Sequence, residues 1–163
     1  MKILEIEKEQ LLKPLQTVAG IVERRHTLPI LSNILLEIKG SNLRLLATDL
    51  EIQVATNLTL PKAYPDQAIT ASARKLLDIL RALPDKTSVS LDAGESKLQV
   101  KAGKSRFNLQ TLPAQDFPTM ANSGGAGTGF SLPQRQFRKL LSLVQYGMAQ
   151  QDIRYYLNGL LLV

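Results

Sequence analysis

Four places in this 163-residue chain carry side chains whose types and spacing could do chemistry. In TDLEIQ, Asp49 and Glu51 stand two apart, which on a strand sets both carboxylates on one face, as a glycoside hydrolase arranges its acid and base. No further group converges on them and surface strands carry such pairs routinely, so they read as solvated charges. AGKSR supplies Gly103, Lys104 and Ser105, the tail of a phosphate-binding loop, but Leu98 stands where that loop needs its first glycine. The segment reads instead as a turn between strands, with Lys104 and Arg106 presented on one side. His26, the single histidine, lies in the polar loop ERRHTLP without a partner in sequence and reads as solvent-facing. The fourth place is a pair of loops. Arg24 and Arg25 follow one apolar-periodic segment, and Gln150, Gln151, Asp152, Arg154, Tyr155 and Tyr156 follow another. Arginine, amide and aromatic groups together suit phosphates, sugars and unpaired bases. The competing reading makes Tyr156 a core residue, because it aligns with Ile30; it applies less to Tyr155.

Composition narrows the rest. The absence of cysteine excludes disulfides, thiolate zinc sites and cysteine nucleophiles, and one histidine removes the usual metal clusters and most catalytic triads. No cofactor is expected. A net charge of +6 makes a polyanion a plausible partner, since Lys and Arg gain by releasing counterions from phosphates. The apolar runs fall far short of the roughly 20 residues that span a bilayer. MKILEIEKEQ lacks the apolar stretch of a secretory signal, so the expected compartment is the cytosol.

The elements that must position these groups follow from periodicity. KILEIE alternates as a strand does, and Leu11, Leu12, Leu15, Val18, Ala19 and Val22 recur at helical spacing in a helix expected to begin near Gln10, with Pro14 in its first turn. ILLEIKGSNLRLLATD and LEIQVATNLTL, broken at Gly40, Ser41 and Asn42, read as a hairpin and its continuation. ARKLLDILRAL is a second helix, with Ser72 as its N-cap and Pro84 as its stop. On it Ala73, Leu76, Leu77 and Leu80 form one stripe and Ile79 with Leu83 a shoulder. That apolar arc is wider than one core requires, so either both faces are buried or the shoulder, rimmed by Lys75, meets another subunit; the second reading is favoured. A meander turning at Gly94 and Gly103 follows, then a linker with four glycines within 123–129.

Beyond the linker the pattern restarts: FSLP as a short strand, then a helix with Phe137, Leu140, Leu141 and Val144 on one face. Adding 126 to the residue number carries Lys13 to Lys139, Leu15 to Leu141, Val18 to Val144, Leu31 to Leu157, Leu35 to Leu161 and Leu36 to Leu162 without a gap. A period that long implies duplicated domains, not a solenoid. The expected organisation is a first domain over 1–122, a linker over 123–129 and the start of a second, truncated domain over 130–163, with Val163 inside a strand.

LLKPLQTV, TLPILSNILLEI, LRLLATDLEI, ARKLLDILRALP, SRFNLQTLPAQDFP and MAQQDIRYYLNGLLLV together resemble the bacterial sliding clamps, the beta subunits of DNA polymerase III, collinearly over the whole chain. The resemblance implies an α+β DNA-clamp fold, with antiparallel sheets outside and two helices per domain facing a DNA channel. It implies three such domains per chain and two chains head to tail around duplex DNA, with twelve helices lining the hole. Such a ring is a non-catalytic processivity factor for the replicative polymerase, placed by a clamp loader. By matching motif, Arg25, Arg74, Gln151, Tyr155 and Tyr156 would contact DNA. Ile79, Leu83 and Phe107, with Lys75, Lys104 and Arg106 around them, would meet an acidic edge of the partner chain. The family's peptide-binding pocket would lie outside this stretch. Gln150 departs from the basic or histidine side chain expected there. Two rivals stand beside this reading: an open-ended DNA-binding protein, and a hydrolase built on Asp49 and Glu51.

Overall fold

The computed structural model describes residues 1–22, 28–120, 129–150 and 152–163, with Tyr155 described in backbone only. The chain divides into two compact units, Met1–Ala121 and Asn122–Val163.

The first unit opens with β1 (Lys2–Glu7), which buries Ile3, Leu4 and Ile6, and passes directly into α1 (Lys8–Ala19). The helix starts two residues before Gln10, so Pro14 lies in its middle and not in its first turn. A proline there removes the bond to the carbonyl four residues back. The helix persists because Leu11, Leu15 and Val18 are fully buried on one stripe. Burial of each such leucine stabilises by about 1.5–3 kcal/mol, enough to override a local breaker.

Next comes a long antiparallel hairpin of β2 (Asn33–Thr48) and β3 (Gln53–Ser72). Its turn is at 49–52, not at Gly40–Asn42 as the sequence suggested. Asp49 makes it: Oδ1 accepts the backbone N–H groups of Glu51 (2.9 Å) and Ile52 (2.7 Å), while Thr48 Oγ1 donates to the Ile52 carbonyl. Asp49 and Glu51 therefore do not share a strand face, and Asp49 is committed to backbone donors. Gly40 instead marks a register shift inside the hairpin, at φ 55°, with its N–H bonded to Asp66 Oδ1. The shift reverses side-chain parity: Ile34, Leu36 and Ile38 enter the main core before it, and Leu43, Leu45 and Ala47 after it. Leu35 and Leu46 face away and are covered by Phe117 in a small second core.

Helix α2 (Ala73–Ala82) follows without a loop; Ser72 occupies the N-cap position, but its hydroxyl makes no capping bond. Three short strands, β4 (Ser88–Ala93), β5 (Lys97–Ala102) and β6 (Ser105–Gln110), then form the meander read from Gly94 and Gly103. With β1 they build an antiparallel sheet in the order β1-β4-β5-β6. Both helices, both sheets and Leu83 contribute to one core cluster. Tyr64 ties the sheets together, its hydroxyl donating to the Glu5 carbonyl and accepting the Glu5 N–H.

In the second unit α3 (Gln134–Val144) repeats α1, since adding 126 to Lys8 gives Gln134. The short 3-10 turn Pro29–Ser32 recurs at the same offset as Tyr155–Asn158. FSLP and the final apolar run form no strand. A strand exists through its ladder, and among the described residues neither segment joins a sheet.

Candidate nucleic-acid interface

A basic concavity of the first unit lies between the end of α1 and the outer face of α2. Ala73, Leu76 and Leu80 point into the core, so helical spacing sends Arg74, Lys75, Asp78 and Arg81 outward. A groove of about 640 Å³ runs beside them, lined by Ala19 at the end of α1, by Val22 just beyond it, by Ser32, by the N-cap residue Ser72, and by Ala73, Arg74, Lys75, Leu77, Asp78 and Arg81 on α2. Three cations thus face one carboxylate. Arg74 Nε lies 3.9 Å from Asp78 Oδ2, with both side chains more than 60% exposed (63% and 62%). A solvent-screened pair of that length holds Arg74 weakly and leaves its guanidinium able to take a phosphate oxygen. Arg81 was not singled out from sequence. The available signal was its spacing of seven from Arg74, two helical turns along the same face.

The other residues expected at DNA divide by unit. Arg25, with Arg24 and His26, lies outside the described residues, as does Gln151. The backbone of Tyr155 is in the 3-10 turn, and its side chain is not described. Tyr156 is 67% exposed in the same turn, which removes the reading of this ring as core. Beside it, Arg154 grips Asp152 through Nε and one terminal nitrogen, both at 3.1 Å. Those hydrogen bonds, and that of the Arg154 backbone N–H, hold the Asp152 carboxyl below the ordinary carboxylate range. Asn158 closes the loop by accepting the Asp152 N–H and donating to its carbonyl, each at 3.0 Å.

The residues expected at a subunit contact occupy the far end of α2 and the last sheet strand. Ile79 and Phe107 are half-buried against the main core, and Leu83 is only 9% exposed within it. Leu83 therefore serves mainly as core, and the apolar surface left on this shoulder belongs to Ile79 and Phe107. Lys104 and Arg106 are exposed on the β5–β6 turn and on β6, whose outer edge carries no further strand among the described residues. Lys75 lies at the basic groove, next to Arg74.

One buried cation went unnoticed in the sequence. Lys8, 7% exposed at its side chain, donates from Nζ to the Leu83 carbonyl at the end of α2 (2.7 Å) and to Asp85 Oδ1 (2.9 Å). It fixes the start of α1 against the end of α2, the two helices that frame the groove. Its partners are 75 and 77 residues away, beyond the reach of a local pattern.

The chain and its fold have known relatives. Residues 1–121 match the family described as DNA polymerase III beta subunit, N-terminal domain. The Beta sliding clamp of Pseudomonas aeruginosa is 51% identical over 157 residues, and that of Escherichia coli K12 is 42% identical over 156. In each case 96% of this chain aligns, and the chain spans 42% of the relative's length. A crystal structure of the Pseudomonas aeruginosa DNA polymerase III subunit beta superposes with a TM-score of 0.88 at 50% identity, over 98% of this chain and 43% of that one. The Caulobacter crescentus pol III beta structure superposes with a TM-score of 0.87 at 41% identity, over 98% and 42% respectively. Paired helices on antiparallel sheets, a basic groove and these likenesses place the chain in the DNA polymerase III beta subunit family, matched through its N-terminal domain.

Proposed function

We propose that the chain forms part of a sliding clamp, a non-catalytic cytoplasmic ring that encircles duplex DNA and tethers the replicative polymerase after a clamp loader has placed it. The observation that carries this reading is the groove between α1 and α2, where Arg74 and Arg81 face a single carboxylate, Asp78, in a chain of this family. Arg25, Gln151, Tyr155 and Tyr156 complete the DNA-facing set. Screened phosphate contacts of this kind hold DNA loosely and permit sliding, while enclosure by a ring raises the effective concentration of whatever is tethered. In the same reading, Ile79 and Phe107, backed by Leu83 and surrounded by Lys75, Lys104 and Arg106, meet an acidic edge of a second copy. Opposite charges there favour a head-to-tail contact that closes.

The test uses a protein of the relatives' full length loaded on circular or linear duplex DNA and passed through a sizing column in moderate salt. Retention on circles with loss from linear ends is expected. Equal retention on both favours an open-ended DNA binder instead. Arg106→Glu is expected to weaken the dimer in sedimentation; an unchanged dimer removes Arg106 from the contact.

A further inference from the structure

Among the described residues of the loop that carries Tyr155 and Tyr156, Arg154 is the only cation, and the loop itself engages it. Asp152 Oδ1 accepts its backbone N–H at 2.8 Å and its Nε–H at 3.1 Å, while Oδ2 accepts a terminal N–H at 3.1 Å. Arg74 presents the opposite case, with a contact to Asp78 that is 3.9 Å long. A carboxylate gripped on both oxygens by one guanidinium is a neutral unit in a fixed orientation, and a neutral unit releases few counterions from a phosphate. The charge of Arg154 is therefore used inside the loop. Asn158 completes the closure from the far end of the turn, its amide bonded to both backbone groups of Asp152. The Leu157 N–H donates to the Arg154 carbonyl, and the Ala149 N–H to the Leu157 carbonyl, each at 2.9 Å. The 3-10 turn Tyr155–Asn158 is thus held at both ends.

The repeat shows why the second unit needs this closure. In the first unit the equivalent turn, Pro29–Ser32, has a proline at its start and Leu31, 2% exposed, anchoring it. Proline fixes one backbone angle and burial of the leucine restrains the rest. At the same offset the second unit has Tyr155 in place of Pro29, and Leu157, 36% exposed, in place of Leu31. Both restraints are weaker there. In sequence the counterparts of Asp152, Arg154 and Asn158 are His26, Leu28 and Ser32, and Leu28 has no side-chain donor with which to form the same closure. The closure and the tyrosines therefore occur together in one copy, and neither is found in the other. A hold that the fold required would recur in both copies; one that the tyrosines require need occur only where they do.

We propose that Asp152, Arg154 and Asn158 are positioning residues: they set the backbone of Tyr155 and Tyr156 for contact with DNA, and Arg154 is not itself a phosphate ligand. This rests on the DNA-enclosing reading above. It gives two exposed arginines different work, since Arg74 is loosely held and able to take a phosphate oxygen while Arg154 orders the turn. Ordering the turn in advance lowers the cost of seating an aromatic side chain on a base.

The test measures binding of a protein of the relatives' full length, carrying this stretch, to a fluorescent duplex with a short single-stranded overhang across a salt series. Y155A/Y156A removes aromatic stacking on an unpaired base and is expected to weaken binding about fivefold or more. D152N sets an amide NH2 against the guanidinium, and R154K keeps the charge but not the two-pronged grip. Each is expected to weaken binding about three- to fivefold with the salt slope unchanged, and D152N/R154K no further than either alone. In the Y155A/Y156A background D152N should have no effect. A phosphate-contacting Arg154 predicts the reverse: D152N tightens binding, R154K retains it, and R154Q lowers the slope of log affinity against log salt by about 0.9. That pattern overturns the proposal. A loss from D152N that persists without the tyrosines marks a role in folding alone and overturns it too. If Y155A/Y156A binds as the parent does while R74Q lowers the slope, the loop has nothing to position, and the proposal falls with the DNA reading intact. Absence of salt-dependent binding by the parent removes the DNA reading and the proposal together.

Discussion

At the scale of single residues, Lys8 separates two kinds of interaction that look alike in sequence. Its ammonium bonds a carbonyl at a buried helix end and a carboxylate, Asp85, whose side chain is 89% exposed. The carbonyl bond lies in a water-poor site and the ion pair does not, so the first should dominate. Lys8→Met is expected to cost about 1–3 kcal/mol in urea unfolding, because it leaves the Leu83 carbonyl without its donor. Asp85→Asn should shift the midpoint far less; equal losses would show that the ion pair carries the contact. Three carboxylates around this end of the molecule also set its acid sensitivity. Asp85 is held below its ordinary 3.8 by the Lys8 hydrogen bond. Glu9 is held below 4.5 by the Lys86 backbone N–H, and Glu5 below 4.5 by Lys2. Each folded value is lower than its unfolded one, so the stability these groups contribute is complete above about pH 5 and is lost as pH falls through the lowered folded values. Urea midpoints should therefore decline below about pH 4.5, less steeply in Glu9→Gln and in high salt. A midpoint constant down to pH 3 would contradict this. The partnerships of Lys8 and Glu9 were not legible in the sequence, because their partners Leu83, Asp85 and Lys86 lie across the fold, whereas Lys2 and Glu5 are only three residues apart.

Among elements, what could be read depended on whether the deciding interaction was local. The β5–β6 turn was legible because Gly103 stands at the first of two central positions between the closing pair Ala102 and Ser105, with φ 56°, as a type II′ turn requires. A Cβ there would meet nothing within 4 Å, so only backbone conformation resists substitution. Gly103→Ala is accordingly expected to cost about 1–2 kcal/mol in urea unfolding. Amide exchange should quicken in Lys104 and Arg106, and a variant as stable as the parent would show that the turn can change type. Gly40, Ser41 and Asn42 gave an equally strong local signal and misled, since long-range pairing with β3 runs through them and Asp49 turns the chain instead. Pro14 misled in the same manner: the burial of Leu11, Leu15 and Val18 outweighs its local preference. Pro14→Ala restores an N–H within reach of the Gln10 carbonyl and should stabilise the chain by about 2 kcal/mol, read from the same unfolding curve. The basic groove was half legible. Helical spacing could place Arg74 and Arg81 together, but only packing against α1 makes a concavity of that face.

For the molecule as a whole, the internal repeat was legible because one constant offset preserves both helix position and the 3-10 turn, while the burial that each copy reaches was not. Periodicity records which residues seek burial and says nothing of whether burial is reached. In the first unit Leu11, Leu15 and Val18 are fully buried, whereas α3 buries none of its residues and leaves Leu140, Leu143 and Val144 more than half exposed. Helices of about a dozen residues are marginal in water without tertiary packing, so the two units should differ sharply in local stability. Hydrogen exchange of the 163-residue chain is expected to show α1 amides opening only with the global unfolding of Met1–Ala121, and α3 amides exchanging several orders of magnitude faster. Limited proteolysis should accordingly trim the chain to a product ending near Ala121, and that product should have the same urea midpoint as the parent. Slow exchange throughout α3, or a trimmed product of clearly lower stability, would mean that the second unit is held by contacts equivalent to those around α1.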